Sequence, residues 1–154
     1  MIKIRKFQAR DSDAVFRLVE NGFNEFVRKD CKENGVKEFF RAAHEMIYLK
    51  PAGHFVLVAE MNNTIVGMID IRDFFHISLF FVDKHYQGRG AGRKLIEKGI
   101  EYCTRGKKDV QSIEVYSSPY AAGIYEKLGF KRESDVQEKN GIRFVELKKY
   151  LKAD

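Results

Sequence analysis

The chain has 154 residues, 44% of them hydrophobic and 32% charged, with a formal net charge of +6. That balance is the composition of an ordinary globular domain long enough for a single core, and it sets disorder aside. The apolar runs FVLVA and ISLFFV fall far short of a bilayer span and MIKIRKF lacks the layout of a signal peptide, so a cytoplasmic protein without a membrane partner is expected.

Cys31 and Cys103 form neither a CxxC nor a Cys/His cluster, so the sequence suggests reduced, buried thiols, with no disulfide framework and no metal site. The excess of positive charge favours anionic partners, whether a nucleic acid or a small polyphosphate. No repeat, low-complexity tract or linker interrupts the chain, so residues 1–154 are expected to form a single domain.

In chain order, Ile2, Ile4 and Lys6 alternate with Lys3 and Arg5 in a short first strand. Asp11-Ser12-Asp13 offers N-cap chemistry to a helix with Val15, Leu18, Val19, Phe23 and Phe26 at helical spacing. A second helix is predicted from about Val36 to Tyr48, ending before Pro51. Three β-rich runs follow, FVLVAEM, TIVGMIDIRD and FHISLFFVD, with Asn62-Asn63 at the first break, as in an antiparallel meander. Ala91, Leu95, Ile96, Ile100 and Cys103 mark a helix fading near Gly106, and SIEVY a further strand. A helix from about Pro119 to Leu128 should stop at Gly129, and Asn140-Gly141 predicts a hairpin in the tail. The fold class that follows is α/β: a mixed, largely antiparallel twisted sheet of six to seven strands flanked by about four helices.

Between the third run and its helix stands Gln87-Gly88-Arg89-Gly90-Ala91-Gly92-Arg93. A strand, a glycine-rich turn and a helix start leave several main-chain N–H groups free beside the positive end of a helix dipole, a spot suited to anionic oxygens. Glycines let a phosphate approach the backbone without meeting a Cβ, and Arg89, Arg93 and Lys94 add charge. The plainer alternative is a turn that merely needs left-handed residues. A Walker A loop fails here because Arg93 stands where its second Gly belongs and Leu95 in the Ser/Thr place, and no GxGxxG is complete.

The pattern Q-x-x-G-x-G, followed downstream by SSPYAAGIYEKLGF at 117–130, resembles the GNAT superfamily of acyl-CoA-dependent N-acetyltransferases. The resemblance covers roughly residues 55–148, with HISLFFVD similar to the central cofactor-binding strand and NGIRFVEL to the final strand. The chain departs from the family's pattern where Tyr116-Ser117-Ser118 replaces a frequent Asn and Lys84 a frequent Pro. The resemblance implies transfer of an acetyl group from acetyl-CoA to a primary amine by direct attack in a ternary complex. No metal is required and no cysteine has a place as acyl carrier.

By the same resemblance, the backbone from Gln87 to Gly92, with Arg93, would hold the pyrophosphate of coenzyme A. The strand end Leu79, Phe80, Phe81 and Val82 would pair with the pantetheine arm, while their side chains serve the core. Tyr125 matches the family's tyrosine that protonates the departing thiolate. His76 lies eleven residues before Gln87, where some protein-modifying members carry a glutamate base, and imidazole chemistry suits the role. A structural histidine is the alternative, and Glu60, Asp70 and Asp73 are rival proton acceptors. Tyr120 is a candidate for lining the acceptor site, whereas His44, His54 and His85 have no metal-ligand spacing. A small-molecule acceptor is favoured over a protein amine, and a homodimer is possible. The competing readings are a non-catalytic acyl-CoA sensor and a basic nucleic-acid-binding module; scattered basic residues and the lack of an RNA- or DNA-binding motif weigh against the latter.

Overall fold

The structure, a computed structural model, describes residues 1–105 and 109–151. Strand β1 (Lys3–Lys6) leads to helix α1 (Ser12–Gly22), whose last turn widens into a π-helix through Val27, and to α2 (Glu33–His44), which ends the same way at Leu49. The meander follows as β2 (His54–Met61), β3 (Thr64–Arg72) and β4 (His76–Val82). Helix α3 (Ala91–Thr104), β5 (Ser112–Ser117), α4 (Ala122–Lys127), β6 (Lys131–Arg132), β7 (Gln137–Lys139) and β8 (Ile142–Tyr150) complete the chain. Eight strands form an open sheet in the order β1-β2-β3-β4-β5-β8-β6, with β7 paired to β8. The excess over six to seven comes from β6 and β7, which are two and three residues long. Among the described residues no helix is long and apolar enough to cross a membrane.

Alternation along the strands builds two cores. One face of the sheet carries Leu57, Ile69, Ile71, Ile77, Val115 and Leu147 against Leu95 and Ile96 of α3 and Tyr125 of α4. The other carries Val58, Met68 and Leu79 against Val15, Leu18 and Val19 of α1 and Ala43 of α2. We call these the α3 face and the α1 face. The turns obey their residues: Asn62-Asn63 and Asn140-Gly141 take positive φ, as tight hairpins require.

Three local expectations need correction. Asp11 precedes α1 but does not cap it. Its carboxylate instead accepts two hydrogen bonds from Arg5 and one from the Gln8 N–H, a stronger charge-assisted use of the same oxygens. Helix α2 begins at Glu33, three residues early, because Asn34 and Gly35 pack against Gly141 of the β7–β8 hairpin. Helix α4 begins only at Ala122: Pro119 lies in a turn where the Ser118 carbonyl accepts from the N–H of both Ala121 and Ala122. The expected end of α3 near Gly106 falls outside the described residues, and the helix is seen to run to Thr104.

One irregularity positions everything that follows. Strands β4 and β5 run parallel yet pair only at His76 with Glu114 and Ile77 with Val115. Immediately after, Asp70 of β3 faces Leu79 while Ile71 faces Ile77, so Ser78 is an extra residue, a bulge that bends β4. Beyond that point β4 keeps β3 on one side and has no ladder partner on the other, leaving a slot in the middle of the sheet.

Candidate functional site

At the far end of the slot, Asp83 begins a short turn by accepting from the His85 N–H, and the Gln87 side chain donates to the Val82 carbonyl at 3.2 Å, folding the loop back onto β4. Gly88 and Gly90 then adopt φ of +80° and +88°, and a Cβ at either would meet nothing within 4 Å. Gly90 caps α3 without any side-chain hydrogen bond. Among the described residues, none accepts a hydrogen bond from the N–H groups of Gly88 to Arg93. Gly92 serves differently: its missing Cβ would lie 3.3 Å from the Phe80 ring, so it lets α3 settle against β4. The Arg89 guanidinium stacks on Tyr86 at 5.3 Å, and Arg93 is exposed in the first turn of α3. A string of unbonded donors at a helix N-terminus, with open space before it, suits anionic oxygens.

The residues expected to bind through their backbone do pack through their side chains. Phe80 meets the Tyr125 ring at 5.6 Å on the α3 face, Phe81 meets Phe39 at 6.2 Å on the α1 face, and Val82 joins the α3-side core. Tyr125 is 5% exposed, wedged between Phe80 and Phe130. Burial pushes its phenol up, so it stays protonated. Its hydroxyl makes no hydrogen bond, yet it is not among the fully buried unpartnered polar atoms of the described residues. The O–H therefore keeps an opening to solvent and remains free to donate.

His76 stands on the α1 face where β4 and β5 part. It is 7% exposed, and its Nδ1 lies 2.6 Å from Glu114 Oε2. The carboxylate accepts a hydrogen bond from Nδ1–H, which leaves Nε2 with its lone pair. Burial lowers the imidazole's pKa, while Glu114 opposes that shift and Arg72 adds to it. Neutral His76 is thus a proton acceptor at neutral pH, with a carboxylate in place to stabilise its cation. Glu114 was missed by the sequence reading, although its signal stood inside SIEVY; only the β4–β5 register shows the two residues to be neighbours.

The antiparallel register of β5 with β8 lays Tyr116 opposite Glu146, on the α1 face beyond Glu114. Tyr116 meets His76 edge-on at 4.9 Å and Phe144 at 5.4 Å, and is 52% exposed. Tyr120 stacks on Phe26 at 4.8 Å with Lys29 over its ring. Ser118, near the place of the family's Asn, closes the intervening turn by accepting from the Ala121 N–H.

The rival acceptors are engaged by other partners, although Asp73 lies near enough to His76 to raise its pKa. Glu60 on β2 binds Arg5 at 3.1 Å, and Asp73 pairs with Arg72 in the β3–β4 turn. Asp70 is fully buried, with Oδ1 2.6 Å from His54 Nδ1 and Oδ2 unpartnered, and burial raises its pKa. A cavity of about 710 Å³ lined in part by Arg10, Arg17, Thr64 and Asp83 lies off the slot, beside α1. Among the described residues no group of three or more metal-ligating side chains occurs.

A family profile described as "Acetyltransferase (GNAT) domain" matches residues 27–151. An uncharacterised N-acetyltransferase of Methanocaldococcus jannaschii is 33% identical over an alignment of 99 residues, taking in 57% of this chain and 43% of the relative, so the match spans less than half of that protein. The fold is that of a GCN5-related N-acetyltransferase from Rhodopseudomonas palustris, at TM-score 0.79 and 19% identity over 97% of this chain and 95% of the other. It is likewise that of a PaiA N-acetyltransferase from Thermoplasma acidophilum solved with coenzyme A, at TM-score 0.75 and 18% identity over 98% and 99%.

Proposed function

Because the chain belongs to the GNAT acetyltransferase family, we propose that it transfers an acetyl group from acetyl-CoA to a primary amine of a small molecule, by direct attack in a ternary complex. Residues 1–154 act as one domain, in the cytoplasm, where the free thiols of Cys31 and Cys103 are at home. The observation that carries the reading is the slot: a bulged β4 with one edge unpaired, ending in unbonded N–H groups at the start of α3.

Those N–H groups, the α3 dipole and the cations of Arg89, Arg93 and Lys94 suit the diphosphate of coenzyme A. The unpaired edge from Leu79 to Val82 offers main-chain donors and acceptors to an extended arm. The thioester supplies the activated acetyl group. On the α1 face, His76 Nε2 takes the proton from the acceptor's ammonium, and Glu114 holds the ring in the right tautomer and stabilises the imidazolium. From the α3 face, Tyr125, which burial keeps protonated, gives its phenolic proton to the departing sulfur as the C–S bond breaks, and the resulting phenolate takes the second proton released by the attacking nitrogen. The slot thus sets the ammonium's proton acceptor and the acid toward sulfur on opposite faces of one sheet.

The test is calorimetry with coenzyme A followed by thiol release from acetyl-CoA over an amine panel. Micromolar binding and amine-dependent thiol release are expected. Absence of binding overturns the reading; binding with no release from any amine leaves a sensor of acyl-CoA.

A further inference from the structure

The mouth of the slot on the α1 face differs in chemistry from the rest of this cationic chain. Glu114 and Glu146 flank Tyr116, and Phe144 and His76 wall its ring. Three of the cations nearby are committed, and a fourth, Lys148, the β8 neighbour of Glu114, is on the same face without an ion pair among the described residues. Arg72 pairs with Asp73 and Arg143 with Asp30, each at 3.4 Å, and Lys29 already covers Tyr120. The Tyr116 hydroxyl reports the balance: Glu114 first, then burial and Glu146, raise its pKa, with Arg72 opposing. No cation of the described residues lies over the Tyr116 ring, and half of that ring is open. An aromatic face between two carboxylates is a seat for an ammonium group.

Resting on the acyl-transfer reading above, we propose that the acceptor is a linear aliphatic diamine. Its reacting nitrogen lies at His76 and Glu114, and its second ammonium rests on Tyr116 and Phe144 beside Glu146. The spacing sets the length. Same-face neighbours on a strand stand about 6–7 Å apart, and three to five methylenes between two nitrogens span roughly 5–7.5 Å at about 1.25 Å of reach per bond.

The experiment uses the full chain saturated with coenzyme A, titrated with 1,4-diaminobutane and with 1-aminobutane in a calorimeter, alongside kcat/KM for both with acetyl-CoA. The diamine is expected to bind at least about 10-fold more tightly and to show kcat/KM about 30-fold higher, as a cation–π contact joined to a carboxylate provides. Glu146→Gln, whose side chain has no partner among the described residues to lose, should collapse that ratio to within about 3-fold while coenzyme A affinity holds. Glu146→Lys should invert the preference toward 4-aminobutanoate, whose carboxylate replaces the second ammonium. Equal affinity and kcat/KM for the two amines, or a ratio indifferent to Glu146→Gln, overturns the diamine proposal while leaving acetyl transfer standing. Failure of coenzyme A itself to bind overturns both.

Discussion

In the proposed reaction the two ends of the slot solve opposite recognition problems with different parts of the chain. The loop from Gln87 to Arg93 works through main-chain N–H groups and the absence of side chains, and its nearby charges are positive. The mouth at His76, Glu114, Tyr116 and Glu146 works through side chains from three strands, with two carboxylates beside an open tyrosine ring. A diphosphate is the same in every reaction that uses coenzyme A, so a backbone cradle is enough. An acceptor amine must be chosen, and choice needs side chains. The difference teaches that the two regions should fail independently, one through cofactor affinity and the other through turnover and acceptor preference.

The largest expected effect strikes turnover alone. His76→Gln removes the proton acceptor and should lower kcat by about 10²–10⁴-fold, with the coenzyme A dissociation constant unchanged by calorimetry. Unaltered turnover would return His76 to a structural role. Tyr125→Phe should lower kcat by about 10²-fold. It should leave both cofactor affinity and thermal stability nearly unchanged, because the lost hydroxyl has no hydrogen bond to give up. Gly90→Val works in the opposite sense. Its φ of +88° forces a β-branched residue into strain and sets methyl groups in the space before the N–H cradle. Coenzyme A affinity should fall about 10- to 100-fold, equivalent to about 1.4–2.8 kcal/mol, with kcat at saturation reduced far less. If Gly90→Val harmed acceptor selection as much as cofactor binding, the two ends would not be separate devices.

The two ends also differ in how far the sequence revealed them. The glycine turn before α3 was legible because its elements are contiguous: alternating glycines between a strand and a helix state a local backbone requirement that no distant residue alters. The meander, the hairpin at Asn140-Gly141 and the apolar positions of the helices were legible for the same reason, since period-two and helical spacing are local signals. The acceptor end was not. His76 could be proposed by spacing, but Glu114 stands 38 residues away and becomes its partner only through a two-residue parallel pairing. Tyr116 and Glu146 meet through the antiparallel register of β5 with β8, which no pattern in either strand fixes. The bulge at Ser78 left no mark in ISLFFV. Asp11 misled for a related reason: its N-cap position was visible, whereas its competing partner Arg5 came from across the first turn of the fold.

The smallest effect is the one that tells Glu114's role apart from that of a base. The groups facing His76 are Glu114, Arg72, Asp73 and the Tyr116 ring. Burial, with help from Arg72, places its pKa below the ordinary 6.5, and Glu114 holds it from falling further. If neutral His76 accepts a proton from a bound ammonium, kcat/KM should rise with unit slope up to that lowered pKa. It should then run level until the acceptor's own pKa near about 10, where the ammonium disappears. Glu114→Gln removes the group that raises the imidazole's pKa, so the acid limb should move to lower pH. The level region should drop only about 10-fold, because Nδ1 can still donate to the amide oxygen but the imidazolium loses its counter-charge. Were Glu114 itself the proton acceptor, the limb would vanish and the loss would match that of His76→Gln. A limb that moves down in Glu114→Gln and disappears in His76→Gln assigns the proton to the imidazole and the carboxylate to its support.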